Sequence, residues 1–142
     1  MRGMRGRWRR GALILAAAAA VAPVHALEAP GIEALAQLEP GMWRIRILDA
    51  PVDGREICIG DPVRLAQIDH RGTPCAREIV ESGPRGGTVR YTCRGRGFGH
   101  SILRVETPRL VRIHTQGING PQPFSYRAEA RRVGPCQGPN LR

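Results

Sequence analysis

Four cysteines, at positions 58, 75, 93 and 136, are the residues of this 142-residue chain best suited to covalent chemistry. Close-set thiols hold zinc or exchange disulfides, but no Cys-x-x-Cys and no His-x-x-x-His occurs here. An even number of scattered cysteines suits structural bridges in an oxidising compartment instead. Three pairings are possible. Cys75 and Cys93 each lie nine residues from Pro84, which sits in the turn-forming run Ser82-Gly83-Pro84-Arg85-Gly86-Gly87. If the flanking segments pair as an antiparallel hairpin about that centre, the two cysteines are directly opposed. Such residues lie ~4.5–5.5 Å apart at Cα, within disulfide reach. A one-residue bulge in the hairpin would upset this register. With that pair assigned, Cys58 is left to Cys136, closing a loop over most of the domain, which contributes ~4 kcal/mol by restricting the unfolded chain.

Other reactive groups are scattered. Ser101 follows His100 and Asp69 precedes His70, yet neighbours along a strand point to opposite faces. No Gly-x-Ser-x-Gly is present, and a chain without lysine has no Ser-x-x-Lys. The spacing of His70, His100 and His114 specifies no metal site. No catalytic residue, metal or cofactor is therefore expected. The largest patterned feature is cationic: Arg44, Arg46, Arg90, Arg94, Arg104, Arg112, Arg127 and Arg131 share one face of the strands they fall on. Guanidinium forks match phosphate and carboxylate, so this face can meet lipid headgroups, lipopolysaccharide phosphates or acidic glycans. The plainer reading is a solubilising surface interleaved with Thr88, Thr92, Glu106 and Glu129. Arg94-Gly95-Arg96-Gly97-Phe98-Gly99 resembles an RNA-binding Arg-Gly segment, but one copy reads as a strand connection. Its glycines lack the strand-to-helix step of a dinucleotide site.

The elements that position these residues change period along the chain. Ile32, Leu35 and Leu38 suggest a short helical turn within residues 28–38, stopped by Pro40-Gly41. Trp43, Ile45 and Ile47 then alternate with Arg44 and Arg46, as a half-buried strand does. Asp53-Gly54 turns the chain into a second strand over 55–59. Asp61-Pro62 offers an N-cap carboxylate and a first-turn proline to a short helix that Gly72 ends. Further strands are expected over 75–81, 88–95, 100–106, 109–116 and 124–133. Short connections favour antiparallel neighbours, and one apolar and one polar face suit a sheet with a solvated side. The expectation is a mainly β fold: a curved antiparallel meander or partly open barrel, with small helices over one side and two disulfides.

The first 26 residues have the three parts of a secretion signal. Arg2, Arg5, Arg7, Arg9 and Arg10 form a basic start, Gly11 to Ala22 an apolar run, and Val24-His25-Ala26 a peptidase site. Cleavage after Ala26 leaves residues 27–142 as a single domain. The apolar run is short of the ~20 residues of a membrane span, so no transmembrane segment is expected after cleavage. The pair Arg9-Arg10 is compatible with twin-arginine or general export. All 22 basic residues are arginine; removing the leader leaves 17 against 12 acids, so the formal charge falls from +10 to +5. That weakens the case for a nucleic-acid binder. With 18 Gly and 12 Pro, a helical bundle is also disfavoured.

Pro40-Gly41-Met42-Trp43, Cys58-Ile59-Gly60-Asp61, Tyr91-Thr92-Cys93 and Val133-Gly134-Pro135-Cys136 occur in an order that resembles an exported bacterial family, domain of unknown function 3617. The resemblance covers residues 38–137. Members often carry Trp shortly before the last Gly-Pro-Cys, where this chain has Arg131-Arg132. It implies an envelope location and supplies no catalytic residues. The expected function is a non-enzymatic periplasmic or secreted module that binds an anionic envelope component or another periplasmic protein. The alternative is a carrier or enzyme with an apolar pocket inside the sheet, which would show as Trp43 or Tyr126 lining a cavity.

Overall fold

A computed structural model describes residues 31–50 and 54–137. The expected leader, the start of the 28–38 turn and Asp53 of the Asp53-Gly54 turn lie outside the described residues. Seven strands form one antiparallel sheet: β1 (Gly41–Ile47), β2 (Arg55–Ile59), β3 (Cys75–Gly83), β4 (Gly86–Cys93), β5 (Gly97–Thr107), β6 (Leu110–Asn119) and β7 (Gln122–Gly134). Their order is β2-β1-β7-β6-β5-β4-β3. The stretch from β3 to β7 is the expected meander, while β1 docks on β7 and carries β2 outside it. The sheet does not close, so β2 and β3 are its two edges. A nine-residue 3-10 helix, Pro62–His70, carries the chain from one edge to the other.

The β3–β4 hairpin contains the bulge that threatened the cysteine register. Val80 is unpaired between Ile79 and Glu81, but the turn is a two-residue Pro84-Arg85 loop closed by the Gly83–Gly86 pair. That loop centres half a residue beyond Pro84, and the extra residue in β3 moves the register back. The two offsets cancel, and Cys75 opposes Cys93. Their Cα atoms are 4.2 Å apart and the bridge forms; Cys58 and Cys136, 5.4 Å apart, form the other.

The face carrying Trp43, Ile45, Val89, Leu103, Val111, Ile113 and Ala128 is buried, as the alternation predicts. Leu35 and Leu38, in and beside the first 3-10 helix (Glu33–Gln37), and Leu65, Ala66 and Ile68 of the second close it. The second helix starts as expected, with Pro62 in its first turn and the Asp61 carboxylate accepting from the Val63 N–H at 3.1 Å. Gln67 leaves helical geometry (φ −128°, ψ 43°) and divides it.

The strands expected over 88–95 and 100–106 differ in their bounds: β4 ends at Cys93 and β5 starts three residues early. β5 begins at Gly97, so only Arg94, Gly95 and Arg96 connect, and Gly97-Phe98-Gly99 belongs to the strand. The inner row of β5 runs Gly97, Gly99, Ser101, Leu103, Val105, opposite Asn119, Gly117, Thr115, Ile113 and Val111 of β6. Side chains are small where the second helix crosses and large beyond it. Gly97 has φ +121°, and a Cβ there would strike the Ile118 carbonyl; one at Gly99 would strike the Tyr91 ring. These glycines make room for packing, which explains a motif that otherwise reads as flexible linker.

Candidate functional site

The exposed sheet face places seven of the eight arginines on strands, while Arg94 falls in the β4–β5 turn. The antiparallel register then brings most of them to carboxylates. Arg44 reaches Glu56 across β1–β2 at 2.6 Å, and Arg90 reaches Glu78 across β3–β4 at 3.5 Å. Arg104 and Arg112 share Glu106 at 3.2 and 3.4 Å, Arg127 meets Asp49 at 3.0 Å, and Arg131 meets Glu129 at 3.2 Å. Only Arg46 and Arg94 of the eight lack an ion pair among the described residues. Exposed pairs of this kind contribute ~0–1 kcal/mol each. They nevertheless commit two guanidinium nitrogens of Arg44 and of Arg127, and one each of Arg90, Arg104, Arg112 and Arg131, to the protein's own carboxylates.

Beneath the second helix lies a polar cluster that sequence reasoning missed, because its members come from separate elements. Ser101 Oγ donates to the Ala66 carbonyl at 2.6 Å and lies 2.8 Å from Thr115 Oγ1. Asn119 donates to the Asp69 carbonyl at 2.8 Å, and the Tyr126 hydroxyl donates to the Asp69 carboxylate. His70, 1% exposed, has Nε2 3.2 Å from the Arg96 carbonyl and Nδ1 unpartnered. Its ring stands edge-on to Tyr91, with centroids 5.4 Å apart. His100 and His114 are on the other face, so the three histidines do not converge. Burial, together with the Asp69 bond, pushes the Tyr126 phenol up. The cluster's bonds fasten the helix across the small-residue end of β5 and β6. Within the cluster the Ser101 and Tyr126 hydroxyls are both committed, to the Ala66 carbonyl and the Asp69 carboxylate.

Tyr91 yields a measurable consequence. Burial raises its phenol to about 12, and the nearby Thr115 and Ser101 hydroxyls pull the other way. Its oxygen is nonetheless without a hydrogen-bond partner. A phenol raised by folding keeps its proton more tightly in the native state. Stability is therefore full below pH 10 and falls by roughly 2–3 kcal/mol as pH rises to 12. Tyr91→Phe should leave stability at pH 7 within about 1 kcal/mol of wild type and move the alkaline unfolding midpoint upward. A pH titration of circular dichroism checks this, and an unshifted midpoint would refute it.

The open seam between β2 and β3 is the third location. Neither outer strand edge has a backbone partner among the described residues. The gap holds a cleft of about 510 Å³ with Arg64, Arg71, Arg77 and Gln67 on its wall, together with Glu56, whose carboxylate is taken by Arg44. Arg64, Arg71 and Arg77 have no ion pair among the described residues, and all three are exposed. Arg64 and Arg71 follow from where the second helix lies and ends, and Arg77 from β3 being an edge. No sequence signal groups them, because two edges far apart in a flat strand order are brought to one cleft.

Trp43 is fully buried in the core and donates its Nε1–H to the Glu39 carbonyl at 3.1 Å; Tyr126 is half-buried against the same core. Among the described residues no helix is long and apolar enough to cross a membrane. No family model matches this chain, and neither a curated protein nor a solved structure matches it.

Proposed function

We propose that this chain is an exported, non-enzymatic binding module of the cell envelope, braced by two disulfides, whose partner is anionic. The observation that carries the reading is the trio Arg64, Arg71 and Arg77 around the seam cleft, cations without an ion pair among the described residues; the one acid on that wall, Glu56, is paired with Arg44. The outer arginine face, the sequence's candidate for this work, is mostly engaged with its own acids. The basic leader and the paired cysteines support export into an oxidising compartment, where such bridges persist.

The resemblance to the domain of unknown function 3617 family supports the same reading, since its motif positions do structural work here. Gly41 adopts φ +151° against the Gly134 carbonyl, Trp43 fills the core, and Cys136 completes a bridge. A carrier pocket inside the sheet has less support, because Trp43, Leu65 and Ile113 fill that space.

The test is to express the full chain, recover it from the envelope fraction and titrate it with inorganic pyrophosphate. The recovered protein should begin at Leu27. Arg64→Gln/Arg71→Gln/Arg77→Gln should weaken pyrophosphate binding at least tenfold, while Arg46→Gln/Arg112→Gln leaves it within twofold. Retention in the cytoplasm with an intact leader, or loss of binding only in the outer-face variant, would overturn the proposal.

A further inference from the structure

The seam cleft is continuous in its walls with a second one of different character. A cleft of about 520 Å³ runs past the Cys58–Cys136 bridge, with mainly apolar walls that include Pro40, Ile59 and Pro135; its charged members besides Arg64 are Asp61, which caps the second helix, and Arg132, which is paired with Glu39. The cationic cleft at the seam has about the same size and a more polar lining. The two share Cys58, Ile59 and Arg64, so the bridge and the β2 edge form a common wall and Arg64 stands at the junction. Each has the volume of a small-molecule site, ~300–1,000 Å³.

Gln67 lines the cationic part. It is 5% exposed; its Nε2 donates to the Thr73 carbonyl at 3.2 Å, and its Oε1 has no partner. A buried acceptor left unpaired is costly, and a hydroxyl brought by a ligand is one way to satisfy it.

We propose that the joined clefts are one amphipathic groove for a single-chain anionic amphiphile. The acyl chain lies along Ile59, Pro40 and the Cys58–Cys136 bridge, and the acidic head sits among Arg64, Arg71 and Arg77. The proposal rests on the anion-binding reading above and adds the chain. Charge complementarity fixes the sign of the head: three cations without an ion pair among the described residues line this part of the groove, against one carboxylate, Glu56, that Arg44 already neutralises. The apolar part decides between an amphiphile and a simple polyanion: an acidic glycan or free phosphate leaves those walls without a partner. Only a molecule polar at one end and apolar at the other is complementary to both. Guanidinium groups suit a phosphate or carboxylate head, and a singly protonated phosphate also brings the hydroxyl that Gln67 lacks.

The experiment titrates the mature, disulfide-intact protein with dodecyl phosphate below its critical micelle concentration, with butyl phosphate and with inorganic phosphate. Dodecyl phosphate should bind at least a hundredfold tighter than butyl phosphate, the change that roughly four buried methylenes produce. Arg71→Gln/Arg77→Gln should weaken dodecyl phosphate at least tenfold. Both positions are exposed, and an unchanged urea midpoint would show that the variant is folded. Equal affinity for dodecyl and butyl phosphate would overturn the amphiphile while leaving an anion-binding module standing. Failure of every phosphate to bind would overturn both. Tight dodecyl binding that survives the arginine substitutions would overturn the placement of the head.

Discussion

Replacing Cys58 and Cys136 together by alanine should lower stability by about 4 kcal/mol, a larger effect than removing the other bridge. The bridge spans 78 residues. In the chain-entropy account, a loop of that length confers ~4–5 kcal/mol by restricting the unfolded ensemble, against ~3 kcal/mol for the 18-residue span of Cys75–Cys93. The long bridge also has a specific task in this topology. β2 is attached to the sheet only through β1, and β1 through β7. Cys58 in β2 and Cys136 just beyond β7 tie the outer strand to the strand two places in, across the end of β1. Losing that tie leaves the β1–β2 hairpin held by one ladder and its apolar contacts. For a domain stable by ~5–15 kcal/mol, the variant is then marginal. Urea unfolding under non-reducing conditions should show a large fall in midpoint, exceeding that of Cys75→Ala/Cys93→Ala. An unchanged midpoint, or the opposite ranking, would contradict this account.

Trp43→Ala should cost about 3–5 kcal/mol. Trp43 is the largest fully buried side chain, set in β1 between β2 and β7, and its indole N–H is committed to the Glu39 carbonyl. Alanine leaves a cavity and an unpaired acceptor in the region that holds the hairpin to the meander. Trp43→Phe, which keeps most of the packing and loses the hydrogen bond, should cost about 1–2 kcal/mol. The measurement separates core from pocket. A tryptophan lining an empty ligand cavity could be truncated with little loss, so an Ala variant within 1 kcal/mol of wild type would revive the interior-carrier reading.

Much of the fold was legible because its signals are local. Alternation in residues 43–47 and again through 88–133 records which face each strand buries, and Asp61-Pro62 marks a helix start within two residues. The Cys75–Cys93 pair was also legible, though through two offsets that cancel: a turn centred beyond Pro84 and the Val80 bulge. The Gly97-Phe98-Gly99 segment was not legible as strand. Its glycines record what packs against them, Tyr91 and the Ile118 backbone, and composition alone cannot distinguish a crowded backbone from a mobile one.

The candidate site divides the same way. The chain alone determined that seven of the eight arginines share a face, since a strand's side-chain period is two and needs no partner to express it. Arg94, expected among them, lies in the β4–β5 turn because β4 ends at Cys93. The chain equally determined that the cysteines were even in number and scattered. The tertiary structure decided which of those arginines meet a carboxylate, because charge pairing depends on cross-strand register. It also decided that β1 joins β7, and that Arg64, Arg71 and Arg77 border a single cleft. Those facts depend on contacts between residues far apart in the chain, and a contact of that kind leaves no periodic trace in either of the segments it joins.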